Sequence, residues 1–186
     1  MEMDKGSRHR KILGDFGESL LSNWLSRSGF EVVFVDHTGI DLIAYHRSTG
    51  KRLGITVKSR SRESGKDNIS VNIFHRTKND RSKVIEACRA FACTPWIGVY
   101  VEGENYANIY LTSLENYDAK YRRPQKVVDV WRMGARDRLA YARDSSVKNL
   151  RMVFHATNWT WKEIQPRRRP VLANPRPHPT RASARG

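Results

Sequence analysis

The octapeptide L-G-I-T-V-K-S-R, residues 53–60, runs from a β-branched apolar core into a lysine and an arginine. Ile55, Thr56 and Val57 favour a strand. Alternation across the pleat then puts Thr56 and Lys58 on one face and Ile55 and Val57 on the other. Just upstream, R-S-T-G-K-R has turn chemistry, and before it I-D-L-I-A-Y, residues 40–45, makes another strand. Asp41, Ile43 and Tyr45 share a face of that strand, so a hairpin over 40–58 brings Asp41 and Lys58 close together at one end of a sheet. Taken singly, Asp41 reads as a turn-flanking carboxylate and Lys58 as a strand-end lysine whose ammonium reaches water.

Outward from this hairpin, Leu20, Leu21, Trp24 and Leu25 stand at helical spacing within residues 14–28, and Gly29 supplies a stop. E-V-V-F-V at 31–35 reads as a strand that leads into the turn D-H-T-G. Downstream, the pattern predicts a polar loop over 61–68 and a short strand at 69–73. A helix over 81–93, a buried strand at 96–101 and its hairpin partner at 106–111 follow. Thr112 and Glu115, three apart, predict a capping box that opens another short helix. Residues 118–149 are strongly charged and match neither period, and 150–155 reads as a last strand. The order is helix, three-stranded meander, helix, strand pair: an α/β fold with a mixed central sheet flanked by helices.

The chain has 186 residues, most economically one domain over 1–165. From 166 onward the composition becomes basic and Pro-rich without acidic residues, which predicts a disordered tail over 166–186 carrying Arg167, Arg168 and Arg169. With 39% hydrophobic residues the rest has ample material for a core. A net charge of +15, from 34 Lys and Arg against 19 Asp and Glu, favours a polyanionic partner, nucleic acid before any other. No apolar run reaches membrane-spanning length and the start lacks a signal-peptide core, so an intracellular, cytoplasmic or nucleoid-associated protein with no membrane partner is expected. Cys88 and Cys93 suggest neither a zinc site nor a disulfide framework. Arg60, Arg62, Arg76, Lys78, Arg81 and Lys83 are candidate phosphate contacts. The run N-W-T-W-K at 158–162 could stack on bases or cover a sheet edge. His37 could transfer protons, although a turn histidine is more often idle.

Glu18 lies three residues before Leu21 and seven before Leu25, at the border of the apolar face of the first helix. Thus G-D-F-G-E (14–18), G-I-D-L-I-A (39–44) and I-T-V-K-S-R (55–60) follow one another at short separations. Together they resemble the PD-(D/E)xK nuclease superfamily, with its restriction-endonuclease-like fold. The nearest in flavour are archaeal Holliday-junction resolvases and small bacterial relatives. The resemblance implies an Mg²⁺- or Mn²⁺-dependent endonuclease acting on DNA, and a homodimer. It implies Asp41 as the central metal ligand and the Val57 carbonyl as a backbone ligand. Glu18 would hold a second ion or a metal-bound water, and Lys58 would orient the attacking water or stabilise phosphorane charge.

Thr56 departs from this pattern, because the family carries a carboxylate or glutamine there. Three readings follow. Glu63, Asp36 or Glu86 takes over the lost charge; Glu18 and Asp41 suffice with nucleic-acid phosphates; or cleavage is lost and binding kept. The last makes the protein a non-catalytic nucleic-acid-binding module. A further alternative is a structural subunit of a ribonucleoprotein or virion assembly.

Overall fold

The computed structural model describes residues 6–62, 70–103 and 106–154. Helix α1 (His9–Arg27) buries Leu13, Gly17, Leu21 and Leu25, one stripe at four-residue spacing. It begins earlier than its apolar spacing predicts, since neither an acidic residue nor a side-chain cap marks its first turn. It ends where Ser28 N–H returns to the Leu25 carbonyl and Gly29 takes φ +88°. The meander follows as β1 (Phe30–His37), β2 (Ile40–His46) and β3 (Arg52–Ser61), each antiparallel to the next.

After β4 (Ser70–His75) the chain crosses over through α2 (Asp80–Ala90). It returns as β5 (Thr94–Glu102), parallel to β3. A parallel neighbour requires such a crossover, whereas a tight hairpin can only reverse the chain. β6 (Tyr106–Ser113) pairs back on β5. The short helical turn α3 (Leu114–Asn116), a π-turn at Tyr117–Tyr121, β7 (Arg123–Pro124), β8 (Val128–Arg132) and α4 (Ala135–Arg143) precede β9 (Lys148–Val153). The result is a six-stranded mixed sheet in the order β1-β2-β3-β5-β6-β9, with a small sheet β4-β8-β7 beside it. The mixed α/β sheet flanked by helices agrees with the expectation from sequence. The basic tail and the two tryptophans of 158–162 lie outside the described residues.

The main sheet is covered on both faces. On one, α1 packs Leu21 and Leu25 over Leu42, Ile55, Val57 and Ile109. On the other, Val84, Ala87 and Cys88 of α2 join Ile97, Val99, Trp131 and Tyr141. Full burial of each large aliphatic side chain contributes about 1.5–3 kcal/mol. Residues 118–149, unreadable by period, are held by an aromatic nest instead. The fully buried Trp131 lies 5.4–6.2 Å, centroid to centroid, from the rings of Tyr110, Tyr117, Tyr121 and Tyr141. The buried Asp129 carboxylate binds Arg122 at 2.8 Å and Arg76 at 3.2 Å, so it is paired on both oxygens.

The Thr112–Glu115 capping box is corrected. Ser113 caps α3, its Oγ accepting from Asn116 N–H at 3.1 Å, while Thr112 is buried and donates to the Ser146 carbonyl at 3.0 Å. Thr112 still belongs to β6, one register step before the turn, so its hydroxyl is drawn to the chain entering β9. Among the described residues no helix is long and apolar enough to cross a membrane.

Candidate functional site

β3 outruns its neighbour β2. Pairing between them stops at Leu42 and Ile55, while β3 continues along β5 as far as Ser61 opposite Glu102. The edge of β3 facing β2 is therefore without a backbone partner just past Ile55. Asp41 fills that gap: its Oδ2 accepts the Val57 N–H at 2.6 Å and the Thr56 hydroxyl at 3.3 Å. In a strand, the N–H and C=O of one residue point to the same side. The Val57 carbonyl thus faces the same opening as the Asp41 carboxylate. Thr56 and Lys58 project toward α2, opposite to Ile55 and Val57, which pack under α1.

Glu18 reaches this end of the sheet because α1 lies very close to it. A Cβ on Gly17 would stand 2.3 Å from Ser59 Oγ and 3.0 Å from Tyr100 Cβ, so glycine permits the approach. Half-buried Glu18 holds its proton more tightly than an ordinary glutamate. Burial is the main cause, the charges of Asp41 and Asp15 add to it, and Lys58 opposes it. Glu18 thus lies within electrostatic reach of both Asp41 and Lys58.

Asp41, Thr56 and Lys58 line a cleft of about 160 Å³ with Thr38, Gly39, Ile73, Phe74, Asp80, Lys83 and Val84. Asp80, Lys83 and Val84 are one face of the first turns of α2. Gly39 fixes them there: at φ +120° its backbone abuts α2, and a Cβ would meet the Lys83 carbonyl oxygen at 2.6 Å. Asp80 was missed by a helix drawn from residue 81. The available signal was an acidic residue favourable to the positive end of a helix. Its Oδ2 accepts the His75 N–H at 3.1 Å, and Lys83 Nζ stands 3.9 Å from Oδ1.

Of the acids expected to replace the charge missing at Thr56, Glu86 is exposed and stands outside this cleft. Glu63 and the Asp36 side chain lie outside the described residues. Among the described residues no three His, Cys, Asp or Glu side chains converge closely enough to hold an ion by themselves. His37 packs edge-on against Phe91, ring centroids 5.4 Å apart, and does not line the cleft.

The basic candidates divide. Lys83 faces the cleft, and Lys78 and Arg60 are exposed. Arg76 and Arg81 are paired with Asp129 and Asp118, stitching β8 and the π-turn to the start of α2. Arg62 is only 6% exposed, its guanidinium donating to the Tyr106 hydroxyl at 2.6 Å. On the α1 side of β3, a larger cleft of about 560 Å³ is lined by Ser7, His9, Arg10, Ser59, Arg60 and Ser61, among others. Arg10 was not anticipated, because an arginine ahead of the helix's apolar stripe carries no period. Arg167, Arg168 and Arg169 lie outside the described residues.

No protein-family model matches the sequence, and no curated protein matches it. Among solved structures, a Holliday junction resolvase of the archaeon Archaeoglobus fulgidus superposes with a TM-score of 0.44 at 12% identity, over 67% of this chain and 85% of the resolvase. A bacterial homing endonuclease gives a TM-score of 0.44 at 15% identity, over 70% of this chain and 77% of its own. The likeness is one of chain path.

Proposed function

We propose that the protein is a divalent-cation-dependent endonuclease that hydrolyses DNA phosphodiester bonds. The observation that carries this is Asp41, wedged where β2 and β3 part and sharing one cleft with Lys58. The Asp41 carboxylate and the Val57 carbonyl at this opening are hard oxygen donors, and the Glu18 carboxylate stands within electrostatic reach from α1. That set suits Mg²⁺ or Mn²⁺, which take few protein ligands and keep several waters, and it lacks the thiolate or imidazole that zinc prefers. Such a cation would neutralise developing phosphoryl charge and make water a better nucleophile.

The remaining steps fall to the chain. Asp41, held by two hydrogen bonds, presents its charge in a fixed direction. Lys58, half-buried between the sheet and α2, donates to a non-bridging phosphoryl oxygen as negative charge gathers there. Glu18, with its raised proton affinity, accepts a hydrogen bond from the attacking water. As the water oxygen bonds to phosphorus, the phosphorus–oxygen bond to the leaving nucleoside breaks; the water gives up a proton to solvent and the departing oxygen takes one from solvent, leaving a phosphomonoester and a free hydroxyl. Arg10, Arg60 and Lys83, in clefts on either side of the end of β3, follow the backbone of the strand and carry no base readout. Preference for branched DNA and dimerisation remain part of this proposal.

With Mn²⁺, the full chain is expected to cleave at least one of supercoiled plasmid, branched and single-stranded DNA, and Lys58→Ala to abolish cleavage. Cleavage that survives Lys58→Ala, or that proceeds equally in EDTA, contradicts this reading. Thr56 favours a second reading, since a buried neutral hydroxyl, 3% exposed, stands where a carboxylate would strengthen metal binding. A non-catalytic nucleic-acid-binding module would bind DNA with steep salt dependence, indifferent to EDTA, and cut none.

A further inference from the structure

Thr56 leaves the β3 edge with one charge fewer than a hard cation calls for, and α2 brings a carboxylate to the opposite wall. Asp80 lines the same cleft as Asp41, Thr56 and Lys58, at the first position of its helix. Two contacts hold it. The His75 N–H at 3.1 Å fixes one oxygen, and Gly39 packed against the Lys83 carbonyl sets how near α2 approaches β2. Its other oxygen is 3.9 Å from Lys83 Nζ, a loose, partly exposed pairing of small energetic weight.

Resting on the nuclease reading above, we infer that Asp80 supplies the negative charge that position 56 has given up, acting on the cation through water from across the cleft. The cleft, at about 160 Å³, has room for several waters between its walls. Mg²⁺ and Mn²⁺ sites that keep most of their waters are held as much by carboxylates that orient those waters as by direct ligands. Asp80 is thus a positioning residue. Lys83, one turn along, offers its ammonium to the phosphate that enters with the cation.

The test is Mn²⁺ binding by the full chain without nucleic acid, followed by calorimetry. Asp80→Asn keeps an oxygen for the His75 N–H and removes only the charge, so its thermal midpoint should fall by no more than a few degrees, the loss of one favourable charge at a helix N-terminus. Its Mn²⁺ affinity should fall by at least the roughly tenfold to hundredfold typical of losing an outer-shell partner. Adding Thr56→Glu to Asp80→Asn should restore most of that loss, whereas Glu86→Gln on the exposed side of α2 should change nothing. Unchanged affinity in Asp80→Asn overturns the role of Asp80 and leaves the nuclease reading standing. Failure of Thr56→Glu to rescue overturns the exchange between positions 56 and 80. No Mn²⁺ binding by the wild type overturns both inferences.

Discussion

Replacing Gly39 by alanine perturbs the contact that sets the width of the cleft. Two costs are independent. At φ +120° an L side chain is strained, which costs about 1–3 kcal/mol. The new Cβ would also lie 2.6 Å from the Lys83 carbonyl oxygen and 3.0 Å from the Val84 nitrogen. These are backbone atoms of a helix and cannot rotate aside, so overpacking adds about 1–3 kcal/mol. The sum, roughly 2–6 kcal/mol, is a large part of the about 5–15 kcal/mol that holds a typical domain. It corresponds to a fall in Tm on the order of 10 °C. Gly50→Ala is the matched control: φ is +68° but nothing lies within 4 Å, so only the left-handed penalty of about 1–2 kcal/mol applies. Urea unfolding with linear extrapolation measures both. Because relief of the clash requires α2 to move off β2, Gly39→Ala should also weaken Mn²⁺ binding where Gly50→Ala does not. If Gly39→Ala costs no more than Gly50→Ala, α2 is not seated on the turn and the cleft is not held as described.

Glu18→Gln should stabilise the metal-free protein above the ordinary glutamate range. The raised Glu18 pKa means the folded state binds its proton more tightly, so the wild type loses stability as pH rises through about 4.5 and beyond, whereas the glutamine variant does not. Thermal unfolding in EDTA at pH 4 and pH 7 measures the difference. Asp144 has the opposite sign. The Tyr121 hydroxyl at 2.6 Å is the chief cause holding its pKa below the usual range, helped by the Ser146 N–H, Lys120 and Asn116. Its contribution is complete above about pH 4 and is lost in acid, so acid titration of Asp144→Asn should show a shallower fall in stability below pH 4. In DNA binding followed against salt, Arg10→Ala and Arg60→Ala should each lower the log–log slope by up to about 0.9 for duplex DNA, while Glu86→Gln leaves it unchanged.

The strands were legible because their chemistry is local. β-Branched runs at 31–35, 40–45 and 53–60, each bounded by turn residues, became β1, β2 and β3 with ends shifted by one or two positions. The face shared by Asp41, Thr56 and Lys58 followed from the period of two. Two things were not legible. Residues 118–149 hold most of the π-turn, then β7, β8 and α4, and the rings packed round Trp131, those of Tyr110, Tyr117, Tyr121 and Tyr141, follow no helical or strand period along the chain. The approach of Asp80 to Asp41 depends on the crossover through α2 and on Gly39 meeting Lys83, a contact between segments 44 residues apart that no window along the chain contains. Likewise Arg62 reads as a phosphate contact beside Arg60. Its burial follows from the place of Tyr106 on the neighbouring hairpin.

The most direct measurement is cleavage of DNA in Mn²⁺ by the wild type and by Asp41→Asn. Asparagine retains an oxygen for the Val57 N–H and the Thr56 hydroxyl, so the end of the sheet should stay intact while the charge is removed. Cleavage by the wild type is expected, with its loss in Asp41→Asn while thermal unfolding and DNA affinity are kept. Equal cleavage by the two proteins, or none by either on plasmid, branched and single-stranded DNA, would contradict it.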